Sequence, residues 1–343
     1  MKALVLEQYN KFTYKDVAKP QIGPDDVLVR VKACAICGSD IHGMDGSTGR
    51  RIPPIIMGHE AAGIIEKIGN QVKNYKVGDR VTFDSTIYCG NCYYCRLGKT
   101  NLCENRRVLG VSCNEYHQNG AFAEYVAVPQ HILYRLPDNV SFDNAALIEP
   151  MSVALHALNN TSIKINDTAV VVGTGMIGLL MIQLLKIAGC GRIIALDIDR
   201  FKLETALSLG ANNVLQSNEV DVNSEILKLT NNMGADISFE IVGIPQTIKF
   251  AIECLRKEGS VTLVGNLSPE VQIPLQFLVT KEIGIKGSCA STGEYDICID
   301  MIARKVINLD ILTSKVVPLE QGAIWFDKLS RSEQGLLKVI LKP

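Results

Sequence analysis

The chain has 343 residues, with 35 Lys and Arg against 36 Asp and Glu and a formal net charge of −1. At roughly 100–200 residues per domain, this length predicts two domains or one large one. A hydrophobic fraction of 47% with 21% charged residues excludes a disordered chain, and the near-neutral balance carries no electrostatic footprint for nucleic acid. No run approaches the ~18 apolar residues of a membrane span, and Glu7, Gln8 and Asn10 interrupt the opening before a signal-peptide core forms. The expectation is a soluble, cytoplasmic protein.

Up to about residue 150, short alternating runs such as 27–31 (VLVRV) and 122–126 (FAEYV) are separated by Gly, Pro and Asp, which predicts strands with irregular loops. The loop after the first run carries CGSDIH, residues 37–42, and a later loop carries Gly58, His59 and Glu60. Cys, His and Glu are all competent zinc ligands. Taken singly, His59 reads as a hydrogen-bonded core residue, Glu60 as a surface charge and His42 as an exposed imidazole. Arg50 and Arg51, between these loops, read as solvated side chains or as contacts to an anionic substrate.

Eleven cysteines in a long chain read as cytoplasmic point to metal binding or catalysis rather than to disulfides. Cys89, Cys92, Cys95 and Cys103 are spaced C-x2-C-x2-C-x7-C. Four thiolates fill a tetrahedral zinc shell and leave no open position, so such a site is structural. An iron–sulfur cluster is the competing metal at this point. Cys113, Cys190, Cys254, Cys289 and Cys298 are scattered and read as small buried apolar side chains.

Beyond residue 150 the texture changes. Apolar strands at 168–172, 192–196, 237–242 and 260–264 alternate with helical patterns at 176–188, 202–209 and 245–255. That alternation predicts an α/β domain with a parallel sheet covered on both faces. Residues 168–178, TAVVVGTGMIG, run from strand through G-x-G-x-x-G into helix. Gly173 allows the tight turn, Gly175 lets backbone approach a pyrophosphate, and Gly178 packs helix on strand. The helix N-terminus offers unpaired N–H groups to the phosphates. The next strand leads to Asp197, 19 positions after Gly178. A carboxylate there accepts ribose hydroxyls and repels a 2′-phosphate, favouring NAD over NADP; the plainer reading is an Asp that ends a strand. From about residue 288 the pattern is mixed again, and a last strand at 337–341 is expected to return to the first region.

These motifs together resemble the zinc-dependent medium-chain dehydrogenase/reductase family over essentially the whole chain. Residues 58–72, GHEAAGIIEKIGNQV, match the family's zinc signature, and the four-cysteine spacing is that of its structural zinc, so the resemblance selects zinc over iron–sulfur. Residues 147–156, LIEPMSVALH, resemble the polyol branch, the sorbitol (L-iditol) dehydrogenases, where Glu stands in place of a Cys ligand of simple alcohol dehydrogenases. The resemblance implies a GroES-like, mostly β catalytic domain from residues 1–152 and 288–343, a Rossmann domain at 153–287, and an active site in the cleft.

It implies a catalytic zinc on Cys37, His59 and Glu60, with Glu149 as fourth ligand or as the holder of the metal's water. It further implies Ser39 and His42 as a proton relay through the cofactor ribose. The cofactor contacts are Gly173, Gly175, Ile177, Gly178, Asp197, Lys202, Val264, Gly265 and Asn266, with 288–290 as a third contact region. The implied cofactors are NAD and two zinc ions per chain. The implied reaction is oxidation of a secondary hydroxyl of a polyol or sugar alcohol to a ketone, in a homodimer or homotetramer. Galactitol-phosphate, inositol, 2,3-butanediol or threonine dehydrogenases are the alternatives within the family, and a non-catalytic NAD-binding protein is the remote one. Two departures from the sorbitol dehydrogenases of animals alter the expected pocket wall: Gly43 stands where those carry an aromatic residue after the relay His, and Ala290-Ser291 where they place an Arg-Tyr pair.

Overall fold

The computed structural model describes Met1–Pro343. The chain forms two compact units, Met1–Pro150 with Thr292–Pro343, and Met151–Ser291. No helix is long and apolar enough to cross a membrane.

The first unit is built on a seven-stranded sheet centred on the long strand Asp26–Ala35. Its alternating residues face inward, with Val27, Val29 and Val31 buried in one apolar core with Ile65, Phe83 and Phe122. Asp26–Ala35 pairs antiparallel with Glu60–Ile68, so that Ala35 lies opposite Glu60. On its other side it pairs with the C-terminal strand Lys338–Lys342, which confirms the expected return of the chain end. The loop from Ala35 and the start of the Glu60 strand are therefore brought together by strand register. The run 122–126 behaves differently from the alternation that suggested a strand. Its strand is Tyr125–Pro129, while Phe122 and Ala123 are fully buried and joined to the N-terminal strand Lys2–Gln8 of a separate three-stranded sheet, as by Leu4 N–H to Phe122 O at 2.8 Å.

The second unit is a six-stranded parallel sheet in the order Asn213–Gln216, Arg192–Asp197, Thr168–Val172, Ala235–Glu240, Leu255–Leu263, Gly284–Gly287. This is the doubly wound order, with the first strand at the sheet centre and the chain reversing beside it. Val170, Val171 and Val172 are buried because helices cover both faces. The strand anticipated at 237–242 ends two residues earlier, at Glu240. The buried Glu240 carboxylate accepts hydrogen bonds from the Val242 and Gly243 N–H groups and turns the chain out of the sheet.

Candidate metal and dinucleotide sites

Two groups of metal-competent side chains lie in the first unit. Their ligand atoms lie within 4.8 Å of one another in Cys37, His59 and Glu60, and likewise in Cys89, Cys92, Cys95 and Cys103.

Each member of the first group is placed by local structure. Cys37 is the N-cap of the short helix Gly38–Gly43, and Glu60 opens the strand Glu60–Ile68. His59 and Glu60 are buried. The Glu60 carboxylate is held by Lys338, whose Nζ lies 2.7 and 3.0 Å from its two oxygens and also donates to Ile36 O at 3.0 Å. His59 Nδ1 is buried with no hydrogen-bond partner and stands 3.5 Å from Asp40 Oδ1. Burial raises the Cys37 thiol above its ordinary range and pushes Glu149 up to about 7. A half-buried thiol converging with a buried imidazole and carboxylate within a few ångströms forms a soft and hard donor set suited to zinc.

Glu149 is not one of the converging three. It lies at the start of the helix Ile148–Asn159 and accepts a hydrogen bond from Ser85 Oγ at 3.1 Å. Ser39 and His42 are exposed on the Gly38–Gly43 helix, three residues apart and so on one face. Ser39 Oγ donates to Cys37 Sγ at 3.3 Å. Arg50 is exposed, but Arg51 is buried and bound to Asp40, so its charge is already matched.

The four-cysteine loop is a separate lobe. The Cys89 N–H donates to Cys103 Sγ at 3.3 Å, and the Asn91 and Cys92 N–H groups hold the Cys89 thiol down at about 6. Backbone donors aimed at sulfur stabilise thiolates, the form that binds metal. The lobe also grips the returning chain: Thr292 Oγ1 donates to Gly98 O at 2.8 Å and accepts from Thr100 N–H at 3.2 Å.

The glycine motif of the second unit has the geometry of a phosphate cradle. A Cβ on Gly178 would lie 2.0 Å from Gly173 O, so only glycine lets the helix sit this close to the strand. A Cβ on Gly175 would meet nothing, leaving open space at the N-terminus of the helix Met176–Ile187. Asp197 ends the second strand. Its Oδ2 accepts from Thr174 N–H and Oγ1 at 2.7 and 2.9 Å, and its Oδ1 from Ile198 and Asp199 N–H. Ile177 is half-buried on the first turn of this helix, and Lys202 is half-buried near Asp199. Val264, Gly265 and Asn266 follow the strand Leu255–Leu263, and the Val264 and Gly265 N–H groups are bound to Glu240 O. Ser291 is buried and accepts a hydrogen bond from Ser152 Oγ at 2.9 Å, so its hydroxyl is committed to that contact.

Residues 23–138 match the alcohol dehydrogenase GroES-like domain, and residues 177–304 match the zinc-binding dehydrogenase domain. The chain is 33% identical to a sorbitol dehydrogenase of Bacillus subtilis, covering 100% of this chain and 97% of that protein. It is 35% identical to an L-idonate 5-dehydrogenase of Vitis vinifera, covering 82% and 78%. Among solved structures it superposes on the alcohol dehydrogenase TADH of Thermus sp. ATN1 with a TM-score of 0.94, 31% identity, and coverage of 100% and 99%. The chain belongs to the zinc-dependent medium-chain dehydrogenase/reductase family. Its relatives place it in the polyol dehydrogenase branch, and it is an oxidoreductase.

Several residues of this dehydrogenase escaped sequence reasoning. Asp40 sits inside the CGSDIH segment, where spacing alone does not mark it off from a surface carboxylate. Lys338 opens the strand whose middle, residues 339–341, is wholly apolar, and it is the buried one of that strand's two lysines. Ser85 and Glu240 carry no sequence signal that separates them from surface residues, and Arg51 is buried against Asp40 rather than solvated or free for an anionic substrate.

Proposed function

We propose that this dehydrogenase oxidises a secondary hydroxyl of a polyol or sugar alcohol to a ketone, with NAD as hydride acceptor. The observation that carries the reading is the convergence of Cys37, His59 and Glu60 within 4.8 Å of one another, in a chain that also holds open space at Gly175 for a phosphate. Cys37, His59 and Glu60 would hold a catalytic zinc, and Cys89, Cys92, Cys95 and Cys103 a structural one. When bound, the catalytic zinc supplies Lewis acidity to the substrate hydroxyl and NAD accepts the hydride. Glu149, fixed by Ser85, serves as a fourth ligand or holds the water of the site. Ser39 would accept the hydroxyl proton as its own hydroxyl proton leaves toward His42, which is exposed on the same helix face and hands it to solvent.

In the second unit, the N–H groups that open the helix Met176–Ile187 bind pyrophosphate. Asp197 supplies a fixed negative charge that favours free ribose hydroxyls over a 2′-phosphate. Lys202, Ile177 and the turn Val264–Gly265–Asn266 complete the nucleotide contacts. The enzyme works in the cytoplasm as a homodimer or homotetramer. The exposed edge strand Gly284–Gly287 offers unpaired backbone groups for such assembly.

The test is NADH formation at 340 nm against sorbitol, xylitol, galactitol, inositols, galactitol phosphate, 2,3-butanediol and threonine, each with NAD and NADP. Activity on a polyol with NAD that Cys37→Ser abolishes is expected. Silence across the panel in a protein holding one zinc per chain would overturn the catalytic reading.

A further inference from the structure

Arg51 is 4% exposed and Asp40 is fully buried. The guanidinium donates from Nε and Nη2 to a single oxygen, Asp40 Oδ1, at 3.1 and 2.8 Å. The same Nη2 reaches Ser39 Oγ at 3.4 Å, and Nη1 donates to Arg50 O at 3.0 Å. Asp40 Oδ1 is also the atom that faces His59 Nδ1 at 3.5 Å. One carboxylate oxygen thus stands between Arg51 and the imidazole, and one guanidinium nitrogen touches both that carboxylate and the Ser39 hydroxyl.

A buried ion pair seldom stabilises a fold more than an apolar pair of the same volume, because desolvation offsets the Coulomb attraction. Positioning is a role that an apolar pair cannot fill. A carboxylate 3.5 Å from Nδ1 is the buried group placed to orient that edge of the ring, and a partner on one ring nitrogen fixes how the other is presented to a metal. The carboxylate performs this only if something fixes its own orientation, and Arg51 contacts it twice. Space for Arg51 comes from Gly43: a Cβ there would lie 2.7 Å from Arg51 Cγ. The small residue after His42 therefore admits the stem of this arginine.

We propose that Arg51 is a positioning residue for the metal site, orienting His59 through Asp40 and Ser39 through its hydroxyl, with Gly43 as the position that lets it in. This rests on the reading of Cys37, His59 and Glu60 as a zinc site.

The experiment uses the full-length zinc-loaded protein and compares wild type with Arg51→Met, Arg51→Lys, Gly43→Ala and the double variant Gly43→Ala/Arg51→Met. The readouts are zinc per chain, the rate of zinc loss to a chelator, kcat, and KM for NAD. Losing an outer partner of a metal-bound imidazole costs about 10–100-fold in metal affinity. Arg51→Met is therefore expected to lose one of its two zincs about 10–100-fold faster while the other stays. Its kcat falls and its KM for NAD is unchanged, and Arg51→Lys recovers part of both losses. Gly43→Ala keeps every charge but displaces Arg51, so it reproduces a milder form of the same defect even if Arg51→Met folds poorly. In the double variant the two effects do not add, because both act through the same guanidinium and Arg51→Met has already removed it. Wild-type zinc retention and kcat in a folded Arg51→Met chain that holds two zincs would overturn this proposal alone. A wild-type chain that holds one zinc and turns over no substrate would overturn the site reading and the proposal with it.

Discussion

Lys338 Nζ lies 2.7 Å from Glu60 Oε2, with both side chains buried and on strands that flank the long strand Asp26–Ala35. The C-terminal strand thus delivers a cation to a carboxylate that also faces Cys37 and His59. Removing one partner of a buried pair leaves an uncompensated charge, at a cost of about 3–5 kcal/mol. Lys338→Met is expected to lose stability of that order in urea denaturation of metal-stripped protein. Zinc supplies a second positive charge to Glu60, so the loss is smaller in the zinc-loaded protein. An equal loss with and without zinc would show that Glu60 does not face the metal.

Much of this arrangement was legible in the residues, and the boundary between legible and illegible is physical. Strand–glycine–helix at 168–178 and the close cysteine run are local signals, since the atoms that meet are near in sequence. Cys37, His59 and Glu60 are not local: strand register brings Ala35 beside Glu60, and only family likeness joined them beforehand. Lys338 lies still further from Glu60 along the chain, and its role depends on which strand pairs with Asp26–Ala35. Arg51 could not be told from a solvated loop arginine, because its burial depends on the absent side chain at Gly43.

Asp84 gives a pH dependence of stability. Burial pushes its carboxyl up to about 7 against the opposing Thr86 N–H hydrogen bond. The unfolded chain releases this proton near the ordinary carboxylate value while the folded chain keeps it, so the group's contribution is present below about pH 4. That contribution is lost as pH rises towards about 7. Asp84→Asn retains an acceptor for Thr86 and removes the titration. In urea melts across this range, wild type is expected to weaken relative to Asp84→Asn as pH rises, with the difference flat above about 8. A constant difference between the two proteins would refute the assignment.

The four-cysteine lobe should hold its metal independently of the other site. Cys103 is the buried member of the set, and its sulfur accepts the Cys89 N–H. Cys103→Ser is expected to lower zinc content from about two per chain to about one, since structural zinc needs its full ligand set. Limited proteolysis should then cut the loop between Cys89 and Arg106. Loosening of Thr292, held by Gly98 and Thr100, should appear as faster amide exchange at residues 292–294. Unchanged zinc content would mean that these thiols do not form a metal site.

Two glycines three residues apart should separate folding from cofactor binding. A Cβ at Gly178 meets Gly173 O at 2.0 Å, a backbone atom that cannot yield without moving the turn. Gly178→Ala is therefore expected to destabilise the second unit and to lower the melting temperature whether or not NAD is present. A Cβ at Gly175 meets no protein atom, and its φ of −67° is open to any residue. Gly175→Ala should fold with wild-type stability, because nothing in the protein opposes it. The same methyl group would stand in the space at the helix N-terminus that the pyrophosphate requires. Its KM for NAD should rise tenfold or more, about 1.4 kcal/mol for each factor of ten, while the zinc content stays at its wild-type value. If Gly175→Ala bound NAD normally, the phosphates would have to lie elsewhere on the sheet edge, and Asp197 would lose its place as the ribose-facing carboxylate.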